Sequence, residues 1–111
     1  MRTKTNRGND RDNLLVKFLQ QHRGRRNCVS SKVICEFMKN NGYEMKPTTL
    51  FPHVHRLMYE RNLPICYIAM KGYYIAENNE DITPVIADLK KRINGYQKHI
   101  DFLQQFTTEC Y

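Results

Sequence analysis

Apolar positions fall into a helical period four times along this chain and into short strand-like runs twice. Leu14, Leu15, Phe18, Leu19 and His22 share one face of a helix predicted from about Asp10 to His22, which Asn9 or Asp10 can cap. Residues 1–9 have no apolar period and read as a disordered arm. Gly24 breaks the first helix. A second is predicted from its cap Ser30 to Asn40, with Val33, Ile34, Phe37 and Met38 as the buried stripe. Val29 and Ile34 hold the positions of a hydrophobic staple, and Asn40-Asn41-Gly42 is a stop signal. A third helix is predicted from Thr48 or Thr49 to about Arg61, with a core stripe of Leu50, Val54, Leu57 and Met58. Counted from a Thr49 cap, Pro52 is the third residue, where its missing N–H would have had no partner.

Ile65–Ala69 and Tyr73–Ala76 are rich in β-branched and aromatic residues and read as two strands joined through Met70-Lys71-Gly72, with Gly72 free to take positive φ. The last helix is predicted from about Ile82 to Phe106, capped by Asp81, with Pro84 in its first turn. Helix, helix, helix, hairpin, long helix predicts a mainly α fold with a small β-hairpin. It is the winged-helix layout, a three-helix core plus a two-stranded wing, followed by a long C-terminal helix. The chain divides into the arm 1–9, a core-and-wing domain at 10–78 and the C-terminal helix at 79–111.

Charge changes this picture by giving it a direction. The 111 residues carry a net charge of +7. Residues 1–26 hold eight Lys or Arg against two Asp, while residues 79–111 hold four against five acids. A one-ended basic field suits a polyanion, nucleic acid first and an anionic membrane surface second.

The third helix supplies a reading face. Opposite its core stripe stand Thr48, Thr49, Pro52, His55, Arg56 and Tyr59, groups that can bond to base edges in a major groove. Arg56 is suited to guanine, and Thr48 and Thr49 to a phosphate at the helix start. Phosphate candidates around it are Arg7 and Arg11, then Arg25, Arg26, Lys32 and Lys71, with Arg2 and Lys4 further along the arm.

The stretch from Val29 to Ala76 resembles a family pattern. Val29-Ser30-Ser31-Lys32-Val33-Ile34 opens the second helix, Leu57–Asn62 closes the third, and Leu63-Pro64-Ile65 and Lys71-Gly72-Tyr73-Tyr74-Ile75-Ala76 form the hairpin. This is similar to the winged helix-turn-helix module of bacterial biotin-repressor-type regulators, and more closely to small winged-helix proteins of phages and prophages. The resemblance implies that the third helix enters the major groove, that Lys71 lies near the backbone, and that the protein regulates transcription or assists replication in a phage or mobile element. Phe51 and Pro52 depart from the polar residues usual early in such a helix, and this wing is short with one basic residue. A winged-helix adaptor that binds a protein through the same helix is the alternative, suited by Phe51, Pro52 and Tyr59.

A second signal lies in the last helix. Ile82, Ile86, Leu89, Ile93, Tyr96, Ile100 and Leu103 step alternately by four and three. With Ile86, Ile93 and Ile100 at a and the others at d, the seam predicts a homodimer, and Ile at a with mostly Leu at d favours parallel strands. The flanking e and g positions offer no complementary charge pairs, and Gly95 weakens the helix.

The cysteines Cys28, Cys35, Cys66 and Cys110 fit no zinc spacing, and His53 and His55 diverge on a helix, so no metal site is expected. Scattered histidines, unpaired acids and the lack of a Gly-rich phosphate loop predict neither catalysis nor a cofactor. No apolar run approaches 18 residues and Met1–Asp12 is polar, so neither a membrane span nor a secretory leader is expected. The expected compartment is the bacterial cytoplasm or nucleoid, or the host cytoplasm for a phage product.

Overall fold

The computed structural model describes residues 7–110, and the side chains of residues 8–107. Three helices, a hairpin and a long helix follow in the expected order: α1 Arg7–Leu19, α2 Ser31–Asn40, α3 Pro47–Glu60, β1 Ile65–Ile68, β2 Gly72–Ile75 and α4 Asn79–Cys110. A 3-10 turn at Arg25–Asn27 leads into α2.

α1 opens three residues before the predicted start, inside the stretch read as an arm; the first six residues of that arm lie outside the described residues. Asn9 and Asp10 therefore sit within the helix rather than capping it, and an acid in the first turn complements the helix dipole. The helix ends at Leu19, so His22 lies beyond it, and its Nδ1–H donates to the Asn27 carbonyl at 2.9 Å. Leu15 and Leu19 are wholly buried.

α2 forms as its signals require. The Ser30 hydroxyl accepts the Val33 N–H at 3.2 Å, and Val29 and Ile34 both enter the core. Val33 corrects the expected stripe: the buried face centres on Ile34 and Met38, and Val33 turns to solvent. Phe37 stacks on Phe18 of α1, with ring centroids 4.1 Å apart.

α3 begins at Pro47 with Lys46 as its cap, not at Thr48 or Thr49. Proline is preorganised for the first helical position. Thr49 is the third helical residue, and its hydroxyl accepts the Lys46 N–H at 3.2 Å. Pro52 is thereby the sixth residue. It removes the N–H that would bond the Thr48 carbonyl, on the exposed side of the helix where that carbonyl is open to solvent. Leu50, Val54 and Leu57 are buried.

The hairpin is antiparallel, pairing Ile65 with Ile75 and Ile68 with Gly72. Alternation sends Tyr73 and Ile75 into the main core with α1–α3, and Tyr74 into a smaller cluster with Cys66 and Ala76. The outer edge of β2 is not open. Val29 and Tyr73 exchange two backbone bonds of 2.8 Å, the Gly24 N–H donates to the Ile75 carbonyl at 2.8 Å, and the Ile75 N–H donates to the His22 carbonyl at 2.9 Å. Gly72 has φ 131°, and a Cβ there would meet the Val29 carbonyl oxygen at 2.0 Å, so close approach as well as the turn demands glycine.

α4 starts at Asn79. The Asn78 side chain accepts the Asp81 N–H at 3.2 Å, which makes Asn78 the cap and places Asp81 third in the helix. Asp81 instead gathers neighbours: its carboxylate accepts the Glu77 N–H at 2.9 Å and the Arg25 N–H at 3.2 Å, and its carbonyl accepts the Tyr74 hydroxyl at 2.6 Å. Pro84 falls in the second turn, not the first. Ile82 and Val85 pack on the smaller cluster, and α4 then leaves the body. The molecule measures 62 × 35 × 25 Å with a radius of gyration of 18.2 Å, against about 13 Å for a compact domain of this length.

Candidate nucleic-acid interface

α3 divides cleanly. Leu50, Val54 and Leu57 face the core, and Thr48, Thr49, Pro52, His55, Arg56 and Tyr59 are all exposed on the opposite side. The row continues aromatically. His55 lies 4.7 Å from Phe51 and 6.4 Å from Tyr59, Phe51 meets Tyr67 of β1 edge-on at 5.8 Å, and Tyr67 meets Tyr73 at 4.8 Å. Five rings thus run from the end of α3 onto the hairpin.

Arg56 does not stand alone on this face. Its Nη2 donates to Asp12 of α1 at 3.1 Å and its Nη1 to Glu60 at 2.8 Å. Asp12 is the one buried charged residue among those described, and it also accepts from His53 Nε2 at 2.6 Å and from Arg11 Nε at 3.4 Å. Burial pushes the Asp12 carboxyl up, but the hydrogen bonds and charges of His53 and Arg56 outweigh it and hold the group below the ordinary carboxylate range. Glu60 and Asp12 together raise the Arg56 pKa further, so the guanidinium stays charged. Of the two partners, Glu60 is exposed and Asp12 is buried, so Arg56 is held from inside by Asp12 and from the solvent side by Glu60.

The spacing contained a signal for this cluster. Asp12 precedes Leu15 and Leu19 at the i, i+3, i+7 positions of the buried face of α1, and His53 lies between Leu50 and Leu57 in the same way on α3. An ionisable residue on each apolar stripe marks a group that needs a partner at the helix contact.

Arg25, Arg26, Lys32 and Lys71 are exposed and in no ion pair among the described residues, whereas Arg11 is drawn to Asp12. The side chain of Arg7 lies outside the described set, as do Arg2 and Lys4. Met70, at the hairpin tip, has φ 69° and is fully exposed beside Lys71.

Between α3, β1 and the base of α4 lies a groove of about 680 Å³. Its walls include Phe51, Met58, Tyr67, Val85 and Leu89, with Arg25 and Arg92 among its polar lining. The sequence reading missed it, because it is made where α4 leaves the body. Burial pushes the hydroxyls of Tyr73 and Tyr74 up to about 12, and it also raises the Cys66 thiol.

Among the described residues no group of three or more His, Cys, Asp or Glu is placed to hold a metal ion, and no helix is long and apolar enough to cross a membrane. The seam residues Ile86, Leu89, Ile93, Tyr96, Ile100 and Leu103 are 46–66% exposed. Comparisons with protein-family models, curated proteins and solved structures find no match to this chain.

Proposed function

We propose that this chain is a non-enzymatic, double-stranded DNA-binding protein that acts as a regulator of transcription or an accessory factor in replication, and that it works as a homodimer joined through α4. The observation that carries the reading is the exposed face of α3: Thr48, His55, Arg56 and Tyr59, each with a group able to meet bases or phosphates, stand together with Thr49 and Pro52 on one side of a helix whose other side is locked into the core. Exposed cations on the 3-10 turn, on α2 and at the hairpin tip support it. The exposed seam on α4 supports the dimer.

The test is duplex binding against salt. With ~5 phosphate contacts, log K against log salt should fall with a slope of about −4 to −5. A flat dependence rejects duplex DNA and leaves a protein partner on the same face, which the aromatic row of Phe51, His55 and Tyr59 favours as the second reading.

A further inference from the structure

Two features of α4 have no role in a parallel pairing of its seam. The first is the groove, whose α4 wall is Pro84, Val85, Asp88, Leu89 and Arg92, with Asp88 and Arg92 paired at 3.0 Å, so that the seam runs into it at Leu89. The second is the pair Phe102 and Phe106, which touch edge-on at 5.2 Å and are each about half exposed. In the heptad frame Phe102 is at c and Phe106 at g, off the a/d line. Ile82 adds a third constraint. It already packs against the hairpin cluster, so the seam available to a partner begins at Ile86 and ends at Leu103.

Continuing from the proposed α4 dimer, we infer that two copies pair antiparallel, so that the Phe106 end of each α4 seats in the groove of the other. Antiparallel helices match a to d and set g against g. One register uses every exposed seam residue: Ile86 faces the partner's Leu103, Leu89 the partner's Ile100, and Ile93 the partner's Tyr96. In that register Val85, a g residue in the groove wall, lies beside the partner's Phe106. Roughly half of each of these side chains is in water, on the order of 100 Å² apiece. With Phe102 and Phe106 that makes about 800 Å² per copy, which is what a stable interface takes from each partner. A parallel pair would leave the groove and both phenylalanines wet and would crowd two bodies at one end. The antiparallel pair places the two α4 bases, at Ile82 of each copy, about 37 Å apart along the rod at 1.5 Å per residue, close to one turn of B-DNA. The expectation of parallel strands came from the Ile and Leu positions alone, which do not register the groove.

Disulfide trapping distinguishes the arrangements. In a chain whose native cysteines are replaced by Ser, or by Ala at buried Cys66, and whose fold is checked by circular dichroism, Ile86→Cys and Leu103→Cys are made singly and together. Under mild copper-catalysed oxidation by dissolved oxygen, the double variant should form a covalent dimer and each single variant should not. Residue 86 lies about 25 Å from its own counterpart in this register, far beyond disulfide reach. Cross-linking of each single variant shows a parallel pair and overturns the inference. A dimer by light scattering that none of the three variants traps places the interface elsewhere and overturns it too. A monomer at micromolar concentration rejects the α4 dimer itself, while leaving the salt test of duplex binding untouched. A second readout needs no cysteine change: Phe51→Ala and Phe106→Ala should each weaken dimerisation about tenfold. An unchanged dissociation constant for both overturns the groove contact.

Discussion

Asp12 of α1 and Arg56 of α3 meet across the helix contact, with the guanidinium Nη2 3.1 Å from Oδ2, and His53 holds the other carboxylate oxygen. The face that α3 presents is therefore oriented from behind by a buried charge on a different helix.

Removing that charge should loosen both. Asp12→Ala leaves His53 without its acceptor and Arg56 with Glu60 alone, and should cost about 1–3 kcal/mol in urea unfolding, below the figure for a fully buried pair because Arg56 is partly in water. A loss under 0.5 kcal/mol means that the cluster holds nothing together.

The same cluster sets an acid limit. The Asp12 carboxyl is held below its unfolded value of about 3.9. Its contribution is complete above that pH and is lost as pH falls through the lower, folded value. Stability measured from pH 6 down to pH 2 should drop below pH 4, and Asp12→Asn should flatten that drop. Equal slopes in the two proteins assign the drop to other acids.

At the alkaline end the sign reverses. Tyr73 and Tyr74 are raised to about 12 from an ordinary value near 10, so the folded state favours the neutral phenols. Their contribution is full below pH 10 and is lost as pH rises from 10 to 12. Ultraviolet titration at 295 nm should show two tyrosines ionising late and together with unfolding. Seven tyrosines titrating normally contradict it.

Arg56→Ala should reduce discrimination between DNA sites by about 1–3 kcal/mol at one base position, more than it weakens random duplex. Glu60→Gln removes the exposed competitor and should strengthen binding modestly. Equal weakening of specific and random DNA by Arg56→Ala makes this arginine a phosphate contact only.

Gly72→Ala should be the most damaging single methyl in the domain. The added carbon would overlap the Val29 carbonyl oxygen at 2.0 Å and force strand β2 off its neighbour. We expect a loss above about 3 kcal/mol or an unfolded protein. A native-like melting temperature would mean that the Val29–Tyr73 bridge is dispensable.

The element order was legible because four amphipathic stripes, a β-branched pair of runs and strong stop signals agree with one another. Boundaries failed where two caps competed. Thr49 reads as an N-cap by type, but Pro47 two residues earlier starts the helix and turns Thr49 into the residue that reaches back. Asp81 was misplaced in the same way by Asn78. The exposed side of α3 followed from its period. The spacing marks Asp12 and His53 as ionisable residues on buried stripes, but not that they meet or that Arg56 joins them, since Arg56 and Asp12 lie 44 apart in the chain; nor does it give the groove, which depends on the angle at which α4 departs.

The residues that close the outer edge of β2 come from positions 22–29, about fifty residues before the strand they bond. The hairpin therefore cannot complete its hydrogen bonds until α1 and the following turn are in place, and the body up to residue 85 should fold and unfold as one cooperative unit. α4 beyond Leu89 shares none of those bonds. Its amides should exchange with solvent orders of magnitude faster than those of Tyr73 and Ile75 in a dilute monomer; under the proposed α4 pairing they slow down only as concentration rises, and order in the outer half of the rod then tracks how much of the protein is present.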